Sequence, residues 1–220
     1  MCVQLDWLSG IENKLVIAAS GSSRHAGLFA ELVIEDLSGI AVDVECASEY
    51  CYRSVKSLMN TAVMVVSYSG ETADTLAALC KANLAGHATL AITNVDDSTM
   101  AREAMAPSNR GGPRTCHSSH QELYSSTVEA LLLALMSAGV RGAIDSSELV
   151  VRLGEVAKLL LRIQEQLKGR DDAMRQIVEE YRAAMNFLFL GRGLHYSIAR
   201  EGTLKLKESA YLHAEGYPSG

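Results

Sequence analysis

Four short apolar runs, spaced by stretches of helical periodicity, constrain this chain more than any other feature. Lys14–Ala19 (KLVIAA), Ile40–Cys46, Thr61–Val66 and Ala88–Thr93 (ATLAIT) are six or seven residues long and rich in small and β-branched residues. That is the length and composition of buried strands. After the first run, Arg24–Asp36 carries a stripe through Leu28, Leu32 and Val33. After the third, Glu71–Leu84 carries Leu76, Leu79, Cys80 and Leu84 at helical spacing. Strands alternating with helices predict an α/β fold, a parallel sheet with helices on both faces in a three-layer α/β/α sandwich. In such sheets ligands bind outside the carboxyl ends of the strands. Two hydroxyl-rich turns fall at those ends: Ser20-Gly21-Ser22-Ser23 and Ser67-Tyr68-Ser69-Gly70-Glu71-Thr72.

The second turn joins a strand to a helix N-terminus. Such a junction aims free backbone N–H groups at one spot, and the helix dipole adds partial positive charge there. Ser67, Ser69 and Thr72 can supply further donors, which together make a phosphate site without a cation. An ordinary capped helix, with Ser69 as cap and Thr72 in the first turn, uses the same residues.

Charge and composition bear on the partner. The net charge is -6 and no basic cluster or aromatic–basic ladder occurs, so nucleic acid is not expected as a partner. The longest apolar run, Ala130–Met136, is too short to span a bilayer, so no membrane partner is expected either. Cys2, Cys46, Cys51, Cys80 and Cys116 are odd in number and lack a Cys-x-x-Cys pair, which reads as reduced thiols in a cytoplasmic protein. Cys2 as an N-terminal nucleophile is the weaker reading, because nothing after it resembles a glutamine-hydrolysing domain. Cys116, His117 and His120 lack the further ligands of a tetrahedral site. A polar loop capping the next helix by Ser118 or Ser119 is expected there, or one whose Ser118 and Ser119 reach the same ligand as Ser69, with no metal and no cofactor.

Asn94–Gly112 reads as turn and loop, and a long helix is predicted from Glu122 to Ala138. Asp145–Lys168 and Asp171–Ala184 read as helices with alternating charge on their exposed faces. Asn186–Leu190 is again a strand, followed by Gly191-Arg192-Gly193 and a helix. Gly21, His25 and Glu31 recur 170 positions on as Gly191, His195 and Glu201, each set following an apolar strand. A duplicated domain is expected. On the last helix Glu201, Lys205, Glu208 and Leu212 share one face. That face is either a solvated salt-bridge stripe or an acid–base array.

Ser67-Tyr68-Ser69-Gly70-Glu71-Thr72-Ala73-Asp74-Thr75 resembles the phosphosugar-binding turn of the sugar isomerase (SIS) domain family, and most closely its members in the isomerase halves of glucosamine-6-phosphate synthases. Gly21-Ser22-Ser23, Val44–Tyr50, Gly191-Arg192-Gly193 and Glu201–Glu208 agree with it. The resemblance runs from about Lys14 to Gly220. It implies a flavodoxin-like first SIS domain over residues 1–165, a helical connector over 166–185 and a partial second SIS domain over 186–220. It implies binding of a hexose 6-phosphate by Gly21, Ser22, Ser23, Ser67, Tyr68, Ser69 and Thr72, with Ser119 approaching the sugar. Glu208 would move a proton between C1 and C2, with Lys205 beside it, in aldose–ketose isomerisation; a homodimer is expected. Four departures stand out. Tyr68 replaces a usual Gln, His120-Gln121 replaces a Thr-Lys pair, no glutaminase domain is read before Lys14, and Gly220 precedes the family's ring-opening His. A phosphosugar-binding module without chemistry, or a deglycase of a sugar-amine 6-phosphate, is the alternative.

Overall fold

The computed structural model describes residue 11 and residues 14–53, 61–104, 106–109 and 119–220. The chain divides into two compact units, Met1–Ile144 and Asp145–Gly220.

In the first unit the four expected strands form as β1 (Lys14–Ala19), β2 (Ala41–Cys46), β3 (Thr61–Ser67) and β4 (Ala88–Thr93). A fifth, β5 (Ala106–Asn109), lies where the sequence reads as loop. Its Pro107 argues against a strand, but a proline is tolerated at a sheet edge, and β5 is an edge in the order β2-β1-β3-β4-β5. All four pairings are parallel. The order reverses between β1 and β3, which is the switch point of a flavodoxin-like sheet.

Period-2 alternation sorts the strand residues onto two faces. Leu15, Ile17, Met64, Val66, Leu90 and Ile92 pack on α1 (Gly21–Ser38) and α5 (Ser119–Val140). Val16, Ala18, Val63, Val65 and Ala91 pack on α2 (Ala47–Tyr52), α3 (Ala73–Leu84) and Met100 of α4 (Thr99–Glu103). Both faces of the sheet are covered, which gives the three-layer sandwich. The helices bury small residues rather than the expected leucine stripes. α1 buries Ala26, Gly27 and Ala30 beside Val33 and Ile34, and leaves Leu32 exposed. α3 buries Thr75, Ala78, Leu79 and Ala82, while Cys80 and Leu84 face solvent. Small residues let a helix approach the sheet closely: a Cβ on Gly27 would stand 3.1 Å from Val44 Cγ1 and 3.2 Å from Ile17 Cγ2. Lys81 of α3 donates to the Tyr50 and Cys51 carbonyls at 3.0 Å each, and to Arg53, which closes the C-terminus of α2 with a cation.

The second unit contains α6 (Ser146–Leu167), α7 (Asp171–Tyr181), β6 (Asn186–Gly191), α8 (Leu194–Ala210) and β7 (His213–Pro218). Asp145 caps α6 by accepting from Glu148 N at 2.9 Å. α8 stops at Ala210, so Leu212 does not extend the Glu201–Glu208 face. β6 and β7 pair in parallel. Phe187 and Phe189 are half-buried on the α8 side, while Leu188, Leu190 and Tyr217 lie exposed on the other.

This strand–helix–strand unit copies β1-α1-β2, with an offset that the sequence identities misstate. Lys14 pairs with Ala41 and Asn186 with His213, a 27-residue step in both. That registers the two units at 172 positions, not 170. Gly21 then corresponds to Gly193, both at φ +55°. Gly39 corresponds to Tyr211, both left-handed helix caps, whose N–H groups donate to Glu35 and Lys207 carbonyls.

The packing makes a paired prediction on one helix. Leu79→Ala removes a fully buried side chain and should destabilise the first unit by about 2–5 kcal/mol. Leu84→Ala, on the exposed face, should change stability by less than about 0.5 kcal/mol. Urea unfolding followed by circular dichroism reads both, and equal effects would contradict this assignment of faces.

Candidate functional site

β1 and β3 are neighbours in register, with Ala19 opposite Val66. Their carboxyl ends therefore deliver Ser20–Ser23 and Ser67–Thr72 side by side at the switch point. α1 then leaves toward one face and α3 toward the other, as their separate cores require. The first turn has Gly21 exposed at φ +55°, which suits glycine, and Ser22 and Ser23 buried at the start of α1. The Ser20 side chain makes no cap bond to α1, and its covered Oγ has no hydrogen-bond partner among the described residues.

In the second turn the hydroxyls bond to one another and to the turn. Ser67 Oγ lies 3.0 Å from Thr72 Oγ1 and accepts from Gly70 N at 3.1 Å. Ser69 Oγ accepts from Glu71 N at 3.2 Å. Thr72, not Ser69, is the N-cap of α3, and its side chain does not cap the helix. An ordinary cap would satisfy an amide of the first turn, so the side chain leaves that donor for something else. Thr75, in that same first turn, is 1% exposed and its Oγ1 has no hydrogen-bond partner among the described residues.

The turn is laid against the loop between β4 and α4. Asn94 N donates to Tyr68 O at 3.1 Å and Met100 N to Gly70 O at 3.2 Å. Glu71 Oε1 accepts from Thr99 N at 2.7 Å, and this bond holds the Glu71 carboxyl below its usual range. A trans peptide directs its C=O and N–H oppositely. Anchoring Tyr68 O on the loop therefore turns the Ser69 N–H away from it. Gly70 sits at φ +68°, and a Cβ there would overlap Ser98 and stand 2.6 Å from Thr93 Oγ1. Glu71, Thr93, Asn94 and Ser98 were not singled out as site residues by the sequence reading. The signal available for them was the lone glycine in a turn of side-chain-bearing residues.

Other expected site residues lie apart in the chain. Ser119 is the first residue of α5, and its side chain lies outside the described residues, as does that of His120. Cys2, Cys116, His117 and Ser118 are outside them altogether. In the second unit, Lys205 Nζ lies 2.6 Å from Glu208 Oε2 and 3.8 Å from Glu201 Oε1. The side chains of Lys205 and Glu201 are 11% and 5% exposed, against 55% for Glu208. This is not a solvated stripe: a largely buried cation sits between a buried acid and one that reaches solvent.

Comparison with known proteins agrees with the geometry. Residues 11–138 match the model of the SIS domain. The glutamine–fructose-6-phosphate aminotransferase (isomerizing) of Chlorobaculum tepidum is 38% identical over 94% of this chain and 33% of its own length. That of Pseudomonas syringae pv. tomato is 40% identical over 93% of this chain and 34% of its own length. The chain thus spans about a third of the length of the curated relatives it matches. The C-terminal domain of glucosamine-fructose-6-phosphate aminotransferase from Francisella tularensis superposes with a TM-score of 0.91 at 31% identity, over 97% of this chain and 60% of that one. Glucosamine-6-phosphate deaminase from Thermotoga maritima shares the fold, with a TM-score of 0.72 at 18% identity over 98% of this chain and 64% of that one. With the SIS model spanning all five strands of the first unit and their switch-point turns, this chain belongs to the SIS domain family.

Proposed function

We propose that the chain binds a hexose 6-phosphate of the fructose 6-phosphate type, with the phosphate at the Ser67–Thr72 turn. One observation carries the reading: an uncapped helix N-terminus, oriented turn amides and the Ser67, Ser69 and Thr72 hydroxyls converge at the switch point of the sheet. Phosphate needs many donors, and neutral ones suffice where a helix dipole adds about half a positive charge. Gly21, Ser22 and Ser23 contribute from the neighbouring strand end, Tyr68 lines the turn, and Ser119 approaches the sugar. The names of the aminotransferase relatives support the choice of sugar.

The reaction we assign is proton transfer between C1 and C2 of the open-chain sugar, an aldose–ketose isomerisation. Glu208 takes the proton and returns it to the neighbouring carbon through an enediol-like state. Lys205 stands beside that carboxylate and pairs with it. The 2.6 Å Lys205–Glu208 pair supports these roles. We assign residues 1–165 to a first SIS domain, 166–185 to a connector and 186–220 to part of a second, a division supported by the 27-residue register shared by β1–β2 and β6–β7. The free thiols of Cys46, Cys51 and Cys80 fit a cytoplasmic setting, and the uncovered face of β6 and β7 fits a homodimer.

Replacing Ser69 and Thr72 together by Ala should weaken fructose 6-phosphate binding by about 1–3 kcal/mol, the range for lost hydrogen bonds to a charged group. Calorimetry decides it; an unchanged affinity removes the turn from the site.

Glu208→Gln keeps the shape and removes the base. In deuterated water, wild type should exchange carbon-bound hydrogen of fructose 6-phosphate with solvent, and the variant should not, while binding the sugar as before. Equal incorporation of deuterium, read by NMR, rules out Glu208 as the base. Wild type that binds without exchange would make this chain a binding module.

A further inference from the structure

The Ser67–Thr72 turn contains one carboxylate, Glu71, which is exposed and is not among the groups assigned to the sugar phosphate. A carboxylate beside a phosphate repels it, unless the carboxylate is directed elsewhere. Here it is directed to the loop: Glu71 Oε1 accepts from Thr99 N at 2.7 Å, shorter than the backbone bonds Asn94 N to Tyr68 O at 3.1 Å and Met100 N to Gly70 O at 3.2 Å. These three bonds attach one side of residues 68–71 to residues 94–100. Ser98, which caps α4 by accepting from Ala101 N, fills the space beside Gly70. Arg102 backs the contact by donating to Thr99 Oγ1 at 3.2 Å and to the Asp97 carbonyl. Of the three bonds only the Glu71 bond is charge-assisted, and bonds of that kind are roughly twice as strong as neutral ones.

We propose that Glu71 is a positioning residue for phosphosugar binding: its bond to Thr99 N clamps the Asn94–Met100 loop against the turn and so orients the donors of residues 67–72 toward the ligand. The inference rests on the phosphosugar reading of that turn. Glu71 itself touches no ligand; it acts through the backbone of Gly70 and Ser69.

The geometry allows the donor and the acceptor to be removed separately. Thr99 is the first residue of α4, a position that suits proline. Ser98 before it is extended, at φ −68° and ψ 157°, as the residue preceding a proline must be. Thr99→Pro therefore deletes the N–H without opposing the backbone. Thr99→Ala keeps the N–H and deletes the contacts of the hydroxyl, with Arg102 and with the Glu71 carboxyl.

The test is fructose 6-phosphate titration by calorimetry with wild type, Glu71→Ala, Glu71→Gln, Thr99→Pro, Thr99→Ala and the Glu71→Ala/Thr99→Pro double variant. Loss of one charge-assisted hydrogen bond predicts that Glu71→Ala and Thr99→Pro each raise Kd about ten-fold. The double variant should be no weaker than either single one, because both remove the same bond. Glu71→Gln retains an acceptor and should restore most of the affinity, and Thr99→Ala, which keeps the N–H, should weaken binding less than Thr99→Pro does. A general loss of structure would give neither the Gln rescue nor the non-additivity. Wild type that binds while Glu71→Ala binds equally well, or additive losses in the double variant, overturns the positioning role alone. Wild type that binds no phosphosugar overturns the functional reading, and the positioning role with it.

Discussion

The pairing of β1 with β3 is the constraint on which the rest of the first unit depends. Along it, Leu15–Ala19 and Thr61–Ser67 are buried without a break, and each successive residue faces the opposite helical layer. A fully buried Ile or Val side chain contributes about 1.5–3 kcal/mol, against about 0.5–1.5 kcal/mol for one ladder hydrogen bond. Apolar burial on two faces at once therefore outweighs the ladder in fixing this pair as the centre of the sheet. Because strand order reverses there, α1 and α3 depart to opposite faces, and their N-termini are left on either side of one crevice. The site is a by-product of topology before any side chain is chosen for it.

The side chains chosen are neutral. Hydroxyls and amides neither titrate near neutral pH nor attract anions from a distance, in keeping with a chain of net charge -6. On the proposed phosphosugar reading, recognition depends on orientation rather than on charge density. This makes the backing loop as much a part of the site as the turn itself. Gly70 has no room for a Cβ because Ser98 and Thr93 already occupy it. The two carbonyls of the turn that face the loop are both engaged by backbone N–H groups. The acid of the second unit has a different design, with a largely covered Lys205 between buried Glu201 and more exposed Glu208.

Much of this was legible in the sequence, and the misreadings have physical causes. The four β-branched runs were strands because their length and composition leave little else. β5 escaped because Pro107 forbids a central strand but not an edge one. Leu84 was assigned to the apolar stripe of α3 by spacing, yet it is 90% exposed, since Thr75, Ala78, Leu79 and Ala82 form the buried face and position 84 falls on the opposite side of the helix. The turn was visible as hydroxyls after a strand. Its dependence on Thr93, Asn94 and Ser98 was not, because contacts across more than twenty residues leave no local periodicity. The likeness of the two strand–helix–strand units was read from Gly21, His25 and Glu31, whose identities fall two positions out of the structural register. Backbone conformation, at Gly21 and Gly193 and at the two left-handed caps, kept the correct phase where side chains had drifted.

One of those caps carries strain that the other does not. Gly39 adopts the left-handed conformation freely, whereas Tyr211 holds φ 56° with a side chain that is 92% exposed. For a residue with a Cβ that conformation is unfavourable by roughly 1–2 kcal/mol, and a ring in solvent recovers none of it by packing. The strain is sustained by the closure it permits, since the chain must reverse at Tyr211 for β7 to run parallel to β6. The second strand–helix–strand unit thus carries a local backbone cost at its reversal, and that reversal follows Lys205 and Glu208 by less than two helical turns.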